Sequence, residues 1–110
     1  MTKGENIGEI TRRLVDDYQP VRIYLFGSEA RGDTGPDSDL DFCVVLPDDA
    51  PRELYGPGVR RVLGGVGMAV DVVRFPLTDF EGRAAYVVSS LPAAVMREGR
   101  LLYDAGRMAA

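Results

Sequence analysis

Three aspartates have the residue type and the spacing of a carboxylate cluster. Asp39 and Asp41 stand two residues apart at the start of a β-rich segment, and the two-residue period of a strand places both carboxylates on one face. Asp71 lies inside a later apolar run, where an unpaired carboxylate would cost several kcal/mol, so the sequence predicts a positive partner for it. Three acidic oxygen donors form a hard ligand set that suits Mg²⁺ or Mn²⁺.

The residue types that are absent narrow the chemistry further. The chain has no histidine and one cysteine, Cys43, which excludes histidine-dependent triads, cysteine-based zinc clusters and an internal disulfide. Cys43 shares the face of the aspartates by strand parity, and we expect it to be a buried side chain that fills apolar space rather than a reactive thiol.

If the strands that carry the aspartates are neighbours, their carboxylates could hold two cations about 3.5–4 Å apart, as in enzymes of in-line phosphoryl or nucleotidyl displacement.

A calcium-binding loop is the alternative interpretation of the aspartate spacing. Counted from Asp37, the alternating carboxylates Asp37, Asp39 and Asp41 match the first half of an EF-hand loop. That loop requires glycine at its sixth position and glutamate at its twelfth, where this sequence has Phe42 and Asp48. The calcium interpretation therefore fails.

Gly27 and Ser28 could supply the other half of a phosphate-transfer site. They follow the β-rich run VRIYLF, and they offer a close backbone approach, a hydroxyl and backbone amides to a phosphate. Alone, the pair would be an ordinary turn at the end of a strand. Ten residues separate Ser28 from Asp39, however, and the complete pattern GS-x10-DxD is much more specific than either part.

The elements that must position these residues follow from hydrophobic periodicity and turn residues. We expect strands over 21–26, 39–46 and 69–75 and a short extended piece at 100–104. We expect a helix over 5–18, a helical turn at 29–32, a loop over 31–38 and a broken helix over 51–67. A last helix should open with a capping box of Thr78 and Glu81, bend near Pro92 and end at Gly99. We expect an α/β (α+β) fold, with a small mixed sheet, helices on one face and the metal site on the other. The tyrosines at 18, 24, 55, 86 and 103 are expected to pack in the core.

Length and composition limit the class of protein that this chain can be. A length of 110 residues predicts a single domain over 1–110. Thirteen basic and seventeen acidic residues give a net charge of −4, which disfavours long nucleic acid as a partner. No stretch approaches the roughly 18 apolar residues of a membrane span, and the N-terminus lacks the apolar core of a signal peptide. The sequence thus predicts a cytoplasmic protein with no membrane contact.

The segment GSEARGDTGPDSDLDF, residues 27–42, resembles the signature of the DNA polymerase β-like nucleotidyltransferases. The small size, the ARG after GS, the SDLDF block and the third aspartate in VDVV look more narrowly like the minimal nucleotidyltransferase family, of the kind encoded beside HEPN-domain toxins. The strand order and the LLYD ending extend the likeness over most of the chain. The resemblance implies the nucleotidyltransferase fold and an Mg²⁺-dependent reaction that uses ATP or another NTP.

The resemblance also implies a role for each residue that matches the motif. Gly27 and Ser28 would hold the β- and γ-phosphates, and Asp39 and Asp41 would bind both metal ions. Asp71 would bind the metal ion at the acceptor and help to deprotonate the attacking hydroxyl.

One further residue matches the family, and two features depart from it. Arg31 matches the RG of the family, where it would either contact the nucleotide or tie down the loop. Glu29 stands where relatives often have a basic residue, and the glycine-rich stretch 56–67 replaces what is usually a sounder helix.

The acceptor follows from the resemblance and from the small size of the chain. Members of the superfamily that modify antibiotics or RNA ends carry an additional domain, so a protein acceptor is expected here. The minimal transferases act as antitoxins that adenylylate a tyrosine of the HEPN toxin. Two alternatives stay open: an antitoxin that neutralises its toxin by binding alone, and the catalytic half of a small-molecule nucleotidyltransferase.

Overall fold

The computed structural model describes residues 3–27, 40–56 and 69–108. In chain order the elements are helix α1 (Lys3–Tyr18), strands β1 (Arg22–Phe26) and β2 (Leu40–Leu46), a 3₁₀ helix (Arg52–Tyr55), strand β3 (Val70–Pro76), helices α2 (Leu77–Tyr86) and α3 (Leu91–Glu98), strand β4 (Arg100–Asp104) and the short helix α4 (Ala105–Met108). The strands, the first helix and the extended piece at 100–104 agree with the sequence expectation. The helical turn at 29–32, the loop at 31–38 and the part of the broken helix beyond Gly56 fall outside the described residues.

The described strands form one mixed sheet in the order β3-β2-β1-β4. β2 and β3 are parallel, whereas β1 is antiparallel to both β2 and β4. The two strands predicted to carry the aspartates are therefore neighbours. The sequence alone did not establish that these strands are adjacent. The mixed sheet and the α/β class are confirmed.

Helices cover both faces of this sheet, not one face as expected. On one face α1 packs through Ile10 and Leu14 against strand residues such as Phe42. On the other face Phe80 of α2 and Val95 of α3 pack against strand residues such as Val45. The reason is that β2 is apolar at nearly every position, so side chains of both parities need cover.

The segment after β3 folds as two separate helices rather than one bent helix. Ser90 caps the start of α3, where its hydroxyl accepts a hydrogen bond of 3.2 Å from the backbone N–H of Ala93. Pro92 then falls in the first turn of α3, where its missing N–H leaves no hydrogen bond unmade. Gly99 occupies the C-cap position as expected.

The predicted capping box of Thr78 and Glu81 is wrong. α2 begins at Leu77, and its first turn is capped from a distant part of the chain. The Asp48 carboxylate accepts hydrogen bonds from the backbone N–H of Thr78 at 2.9 Å and from the Thr78 hydroxyl. The Asp48 carboxylate, which follows β2, therefore caps the N-terminus of α2 in place of a residue next to that helix.

Each helix in the described ranges is either too short or too polar to cross a lipid bilayer.

Candidate active site

The strand register places two of the predicted site residues side by side. Phe26 of β1 pairs with Asp41 of β2, and Asp41 pairs in turn with Asp71 of β3. Neighbouring strands lie about 4.8 Å apart, and residues in register on parallel strands point to the same face. Asp41 and Asp71 thus present adjacent carboxylates on the face that also carries α2 and α3.

The two carboxylates differ in their exposure. Asp41 is half-buried, whereas Asp71 is exposed to solvent. The expectation that Asp71 is buried and needs a positive partner is therefore wrong. Its strand β3 lies at the edge of the described sheet, and Asp71 stands near the start of that strand, so water can solvate the carboxylate.

Arg74 lies on the opposite face of β3, as strand parity predicts. Its guanidinium donates hydrogen bonds to the carbonyl oxygens of Leu54 at 2.9 Å and Gly56 at 2.6 Å. It therefore anchors the 3₁₀ helix and the residue after it. Arg74 and Asp71 therefore project from opposite faces of β3.

Gly27 brings the end of β1 directly against the Asp41 carboxylate. Its backbone has φ +77°, a conformation that favours glycine. A Cβ at this position would overlap the Asp41 Oδ2 atom and lie 3.2 Å from Cγ. The backbone of Gly27 and the carboxylate of Asp41 thus pack directly against each other at this end of the sheet.

Three predicted site residues, Ser28, Arg31 and Asp39, lie outside the described residues. Their flanking residues are described: Gly27 ends one side of the gap and Leu40 begins the other, and both stand at the same end of the sheet. Residues 3–27, 40–56 and 69–108 contain no group of three or more potential metal ligands. Asp39, the third predicted carboxylate, lies outside these ranges.

The donor set at this end of the sheet suits a hard cation. Asp41 and Asp71 offer carboxylate oxygens only, and the chain has no histidine that would favour zinc. Two carboxylates held on adjacent strands repel each other, and a divalent cation between them would relieve that repulsion. The chemistry of these two oxygen donors thus suits Mg²⁺ better than Zn²⁺.

Cys43 takes no part in this chemistry. It lies two residues after Asp41 on the same face, fully buried against the residues that pack under α2 and α3. Burial raises the pKa of its thiol to about 12, so the thiol stays protonated at neutral pH. The expectation of an apolar filler is confirmed.

Sequence reasoning missed an exposed apolar surface on the other side of α2 and α3. Tyr86, expected in the core, is 87% exposed, while Tyr18 and Tyr24 are buried as expected. The signal in the sequence is the apolar run Tyr86–Val87–Val88 directly before the polar pair at 89–90. Because α2 ends at Tyr86, no following turn of that helix covers this apolar run.

The sequence of this chain matches the family model of the nucleotidyltransferase domain over residues 7–95. No curated protein matches the sequence.

Among solved structures, the chain resembles a toxin–antitoxin crystallised with AMP-PNP, with a TM-score of 0.63 and 22% identity over 88% of this chain and 72% of that one. It also resembles the toxin–antitoxin MntA-HepT, with a TM-score of 0.61 and 20% identity over 96% and 76% of the two chains. A candidate nucleotidyltransferase from Sulfolobus solfataricus gives a TM-score of 0.61 at 22% identity over 94% and 81%. At these identities the likeness shows the fold.

The family model spans most of the 110 residues and includes the whole GS-x10-DxD pattern. The likeness in fold to the solved structures agrees with this match. On these grounds the chain belongs to the nucleotidyltransferase domain family.

Proposed function

We propose that this chain transfers AMP from ATP to a tyrosine hydroxyl of a partner HEPN toxin and so acts as an antitoxin. The observation that carries the proposal is the row formed by Phe26, Asp41 and Asp71, with Gly27 against the Asp41 carboxylate. This row supplies adjacent oxygen donors at the strand end where the GS motif begins. Membership of the nucleotidyltransferase domain family supports the reaction class.

Asp41 and Asp71 would hold Mg²⁺ together with Asp39, which the sequence pattern predicts on the face of Asp41. Bound Mg²⁺ would neutralise charge that develops on the attacking and leaving oxygens. Gly27 and Ser28 would receive the β- and γ-phosphates through backbone amides and a hydroxyl. Arg31 is proposed as a further contact to the nucleotide.

The reaction is a displacement at the α-phosphorus. The acceptor oxygen forms a bond to the α-phosphorus, and the bond from that phosphorus to the oxygen bridging to the β-phosphate breaks. Pyrophosphate leaves with the bonding electrons, and the proton of the acceptor hydroxyl passes to the Asp71 carboxylate. The exposure of Asp71 suits this role, since an acceptor on another protein must reach it from solvent.

The similar solved structures favour a protein acceptor. Two of the similar structures are toxin–antitoxin assemblies, and one of them was crystallised with AMP-PNP. These are properties of those proteins, and they support the same partner class and nucleotide here.

The test is covalent modification of the toxin. A substoichiometric amount of this chain is incubated with the toxin, ATP and Mg²⁺, then removed, and the intact mass and RNase activity of the toxin are measured. We expect an inactive toxin that is heavier by an AMP group. The Asp41→Asn variant should produce no mass change, whereas Asp17→Asn, at an exposed position of α1, should act as the wild type.

Other outcomes would replace the proposal. Inhibition without a mass change, equal for wild type and Asp41→Asn, would make the chain a binding antitoxin. Transfer to a small molecule in the presence of a second chain, with the toxin unmodified, would make it half of a small-molecule nucleotidyltransferase.

A further inference from the structure

Tyr86 is the most exposed of the five tyrosines in the chain. Its side chain is 87% exposed and stands at the last residue of α2. Tyr18 and Tyr24 are buried, and their hydroxyls accept hydrogen bonds of 3.5 and 3.0 Å from arginine side chains. Tyr55 and Tyr103 are half-buried against the core under α1. Tyr86 is therefore the tyrosine whose hydroxyl another protein molecule can reach without displacing packed side chains.

The chain on either side of Tyr86 is free of carboxylates. Residues 82–97 include no aspartate or glutamate, although the whole chain has 17 acidic residues. This stretch does include two arginines, and Arg97 donates a hydrogen bond of 3.2 Å to the carbonyl oxygen of Val88, two residues after Tyr86. A tyrosine in such a segment can approach a bound nucleoside triphosphate without the repulsion that neighbouring carboxylates would cause.

The acidic residues that precede this stretch in α2 are both paired with arginines. Asp79 lies 3.0 Å from Arg83, and Glu81 lies 3.5 Å from Arg22. Glu81 lines a groove of 410 Å³ together with Tyr86, so its pairing offsets a negative charge close to the tyrosine.

Tyr86 meets the carboxylates of the candidate active site only when two copies of the chain come together. In the described part of the chain, a side chain that is 87% exposed is not packed against Asp41 or Asp71. α2 also begins beside Pro76, the register partner of Leu46, at the end of β2 opposite to Asp41. The Tyr86 hydroxyl of one copy must therefore enter the site of another, where the exposed Asp71 is open to it.

We infer that Tyr86 is itself an acceptor of AMP, transferred from ATP bound to a second copy of this chain. This inference rests on the proposed function and adds a modification site on the enzyme. The Tyr86 oxygen forms a bond to the α-phosphorus, and the bond from that phosphorus to the oxygen bridging to the β-phosphate breaks. Pyrophosphate leaves with the bonding electrons, and the hydroxyl proton passes to the Asp71 carboxylate of the second copy.

The test needs only the purified chain, ATP and Mg²⁺. After incubation, the intact mass is measured and the modified residue is located by peptide fragmentation. We expect the wild type to gain one AMP group on Tyr86. Tyr86→Phe keeps the ring but lacks the hydroxyl, so it should gain no mass. Tyr103→Phe, the matched control, removes the hydroxyl of a half-buried tyrosine and should be modified like the wild type.

A mixture of two variants tests transfer between copies. Asp41→Asn lacks a carboxylate of the site but keeps Tyr86, whereas Tyr86→Phe keeps the carboxylates but lacks the acceptor. Neither variant should be modified alone. In the mixture, an affinity-tagged Asp41→Asn copy should gain the AMP group, while the untagged Tyr86→Phe copy stays unmodified.

Three results would overturn this inference alone. A wild type that modifies the toxin in the test above but gains no mass itself would remove Tyr86 as an acceptor and leave the proposed function intact. An AMP group on another residue, retained in Tyr86→Phe, would place the acceptor elsewhere in the chain. Modification of the wild type without any in the mixture of variants would mean transfer within one chain. If neither this chain nor the toxin gains mass, the proposed function fails as well.

Discussion

The Asp41 carboxylate fills the space that a side chain at residue 27 would need. Gly27 ends β1 with φ +77°, and a Cβ there would overlap Asp41 Oδ2. Besides the approach to phosphate that we propose for it, the glycine of the GS motif therefore leaves room for the Asp41 carboxylate on the neighbouring strand.

Gly27→Ala should reduce transfer by about 100-fold, because a displacement of about 1 Å in a reacting group can cost that much. The positive φ adds about 1 kcal/mol of backbone strain. Transfer rate and melting temperature would be measured together. Gly82→Ala, at a helical position where a Cβ meets no atom within 4 Å, is the matched control and should gain about 0.5–1 kcal/mol of stability with unchanged activity. Wild-type activity in Gly27→Ala would contradict the steric role.

The contact between Gly27 and Asp41 shows where sequence reasoning succeeds and where it ends. The strands over 21–26 and 39–46 follow from local pattern, because β-rich runs between turn residues need little context. Which strands are neighbours is a tertiary property. The sequence could therefore suggest that Asp41 and Asp71 meet, but only the parallel pairing of β2 and β3 makes them adjacent.

The wrong expectations have the same origin. An apolar run in sequence does not say whether its strand is central or at an edge, and so Asp71 was expected to be buried. Thr78 and Glu81 have the spacing of a capping box, but Asp48, thirty residues earlier, occupies the cap. In both cases the tertiary arrangement decides the outcome and the local pattern does not.

Asp41→Ala should remove transfer and leave the fold intact. Deletion of one carboxylate from a pair on adjacent strands relieves repulsion in the metal-free protein, so the melting temperature should hold or rise. The half-buried position of Asp41 loses little packing. Radiolabel transfer should fall by at least 100-fold, and activity within tenfold of the wild type would contradict the metal assignment.

Mg²⁺ with ATP should stabilise the protein against heat far more than ATP alone. Ligands that bind only the native state add about 2.7 kcal/mol at 100 times their Kd. Thermal unfolding would be followed with ATP alone, with Mg²⁺ alone and with both, in the wild type and in Asp41→Ala. Zn²⁺ should substitute poorly. Equal shifts with and without Mg²⁺ would mean that side chains hold the phosphates and that the carboxylates are structural.

The contact between Asp48 and Thr78 predicts a pH-dependent contribution to stability. Hydrogen bonds from the Thr78 hydroxyl and backbone N–H lower the pKa of Asp48 in the folded protein. A carboxyl whose pKa is lower when folded stabilises the protein above its unfolded pKa, near 4, and this contribution is lost as the pH falls through the folded pKa. The wild type should therefore melt above Asp48→Asn at pH 7 and lose this advantage below pH about 4.

Asp49→Asn is the matched control for that measurement, since Asp49 is the exposed neighbour of Asp48. It should differ little from the wild type at either pH. A difference between wild type and Asp48→Asn that grows on acidification would contradict the assigned direction of the pKa shift.

Asp71→Asn should separate nucleotide binding from transfer. The substitution keeps the shape of the side chain but removes a base and one charge at the exposed edge of the carboxylate pair. Asp41 lies between Asp71 and Phe26 in the strand row, so Gly27 and the central carboxylate should keep their contact in this variant. Calorimetry should show that most of the affinity for ATP with Mg²⁺ survives, while the transfer rate falls at least 100-fold. If ATP affinity is lost as completely as in Asp41→Ala, Asp71 binds the nucleotide-side metal ion and is not the group that receives the acceptor proton.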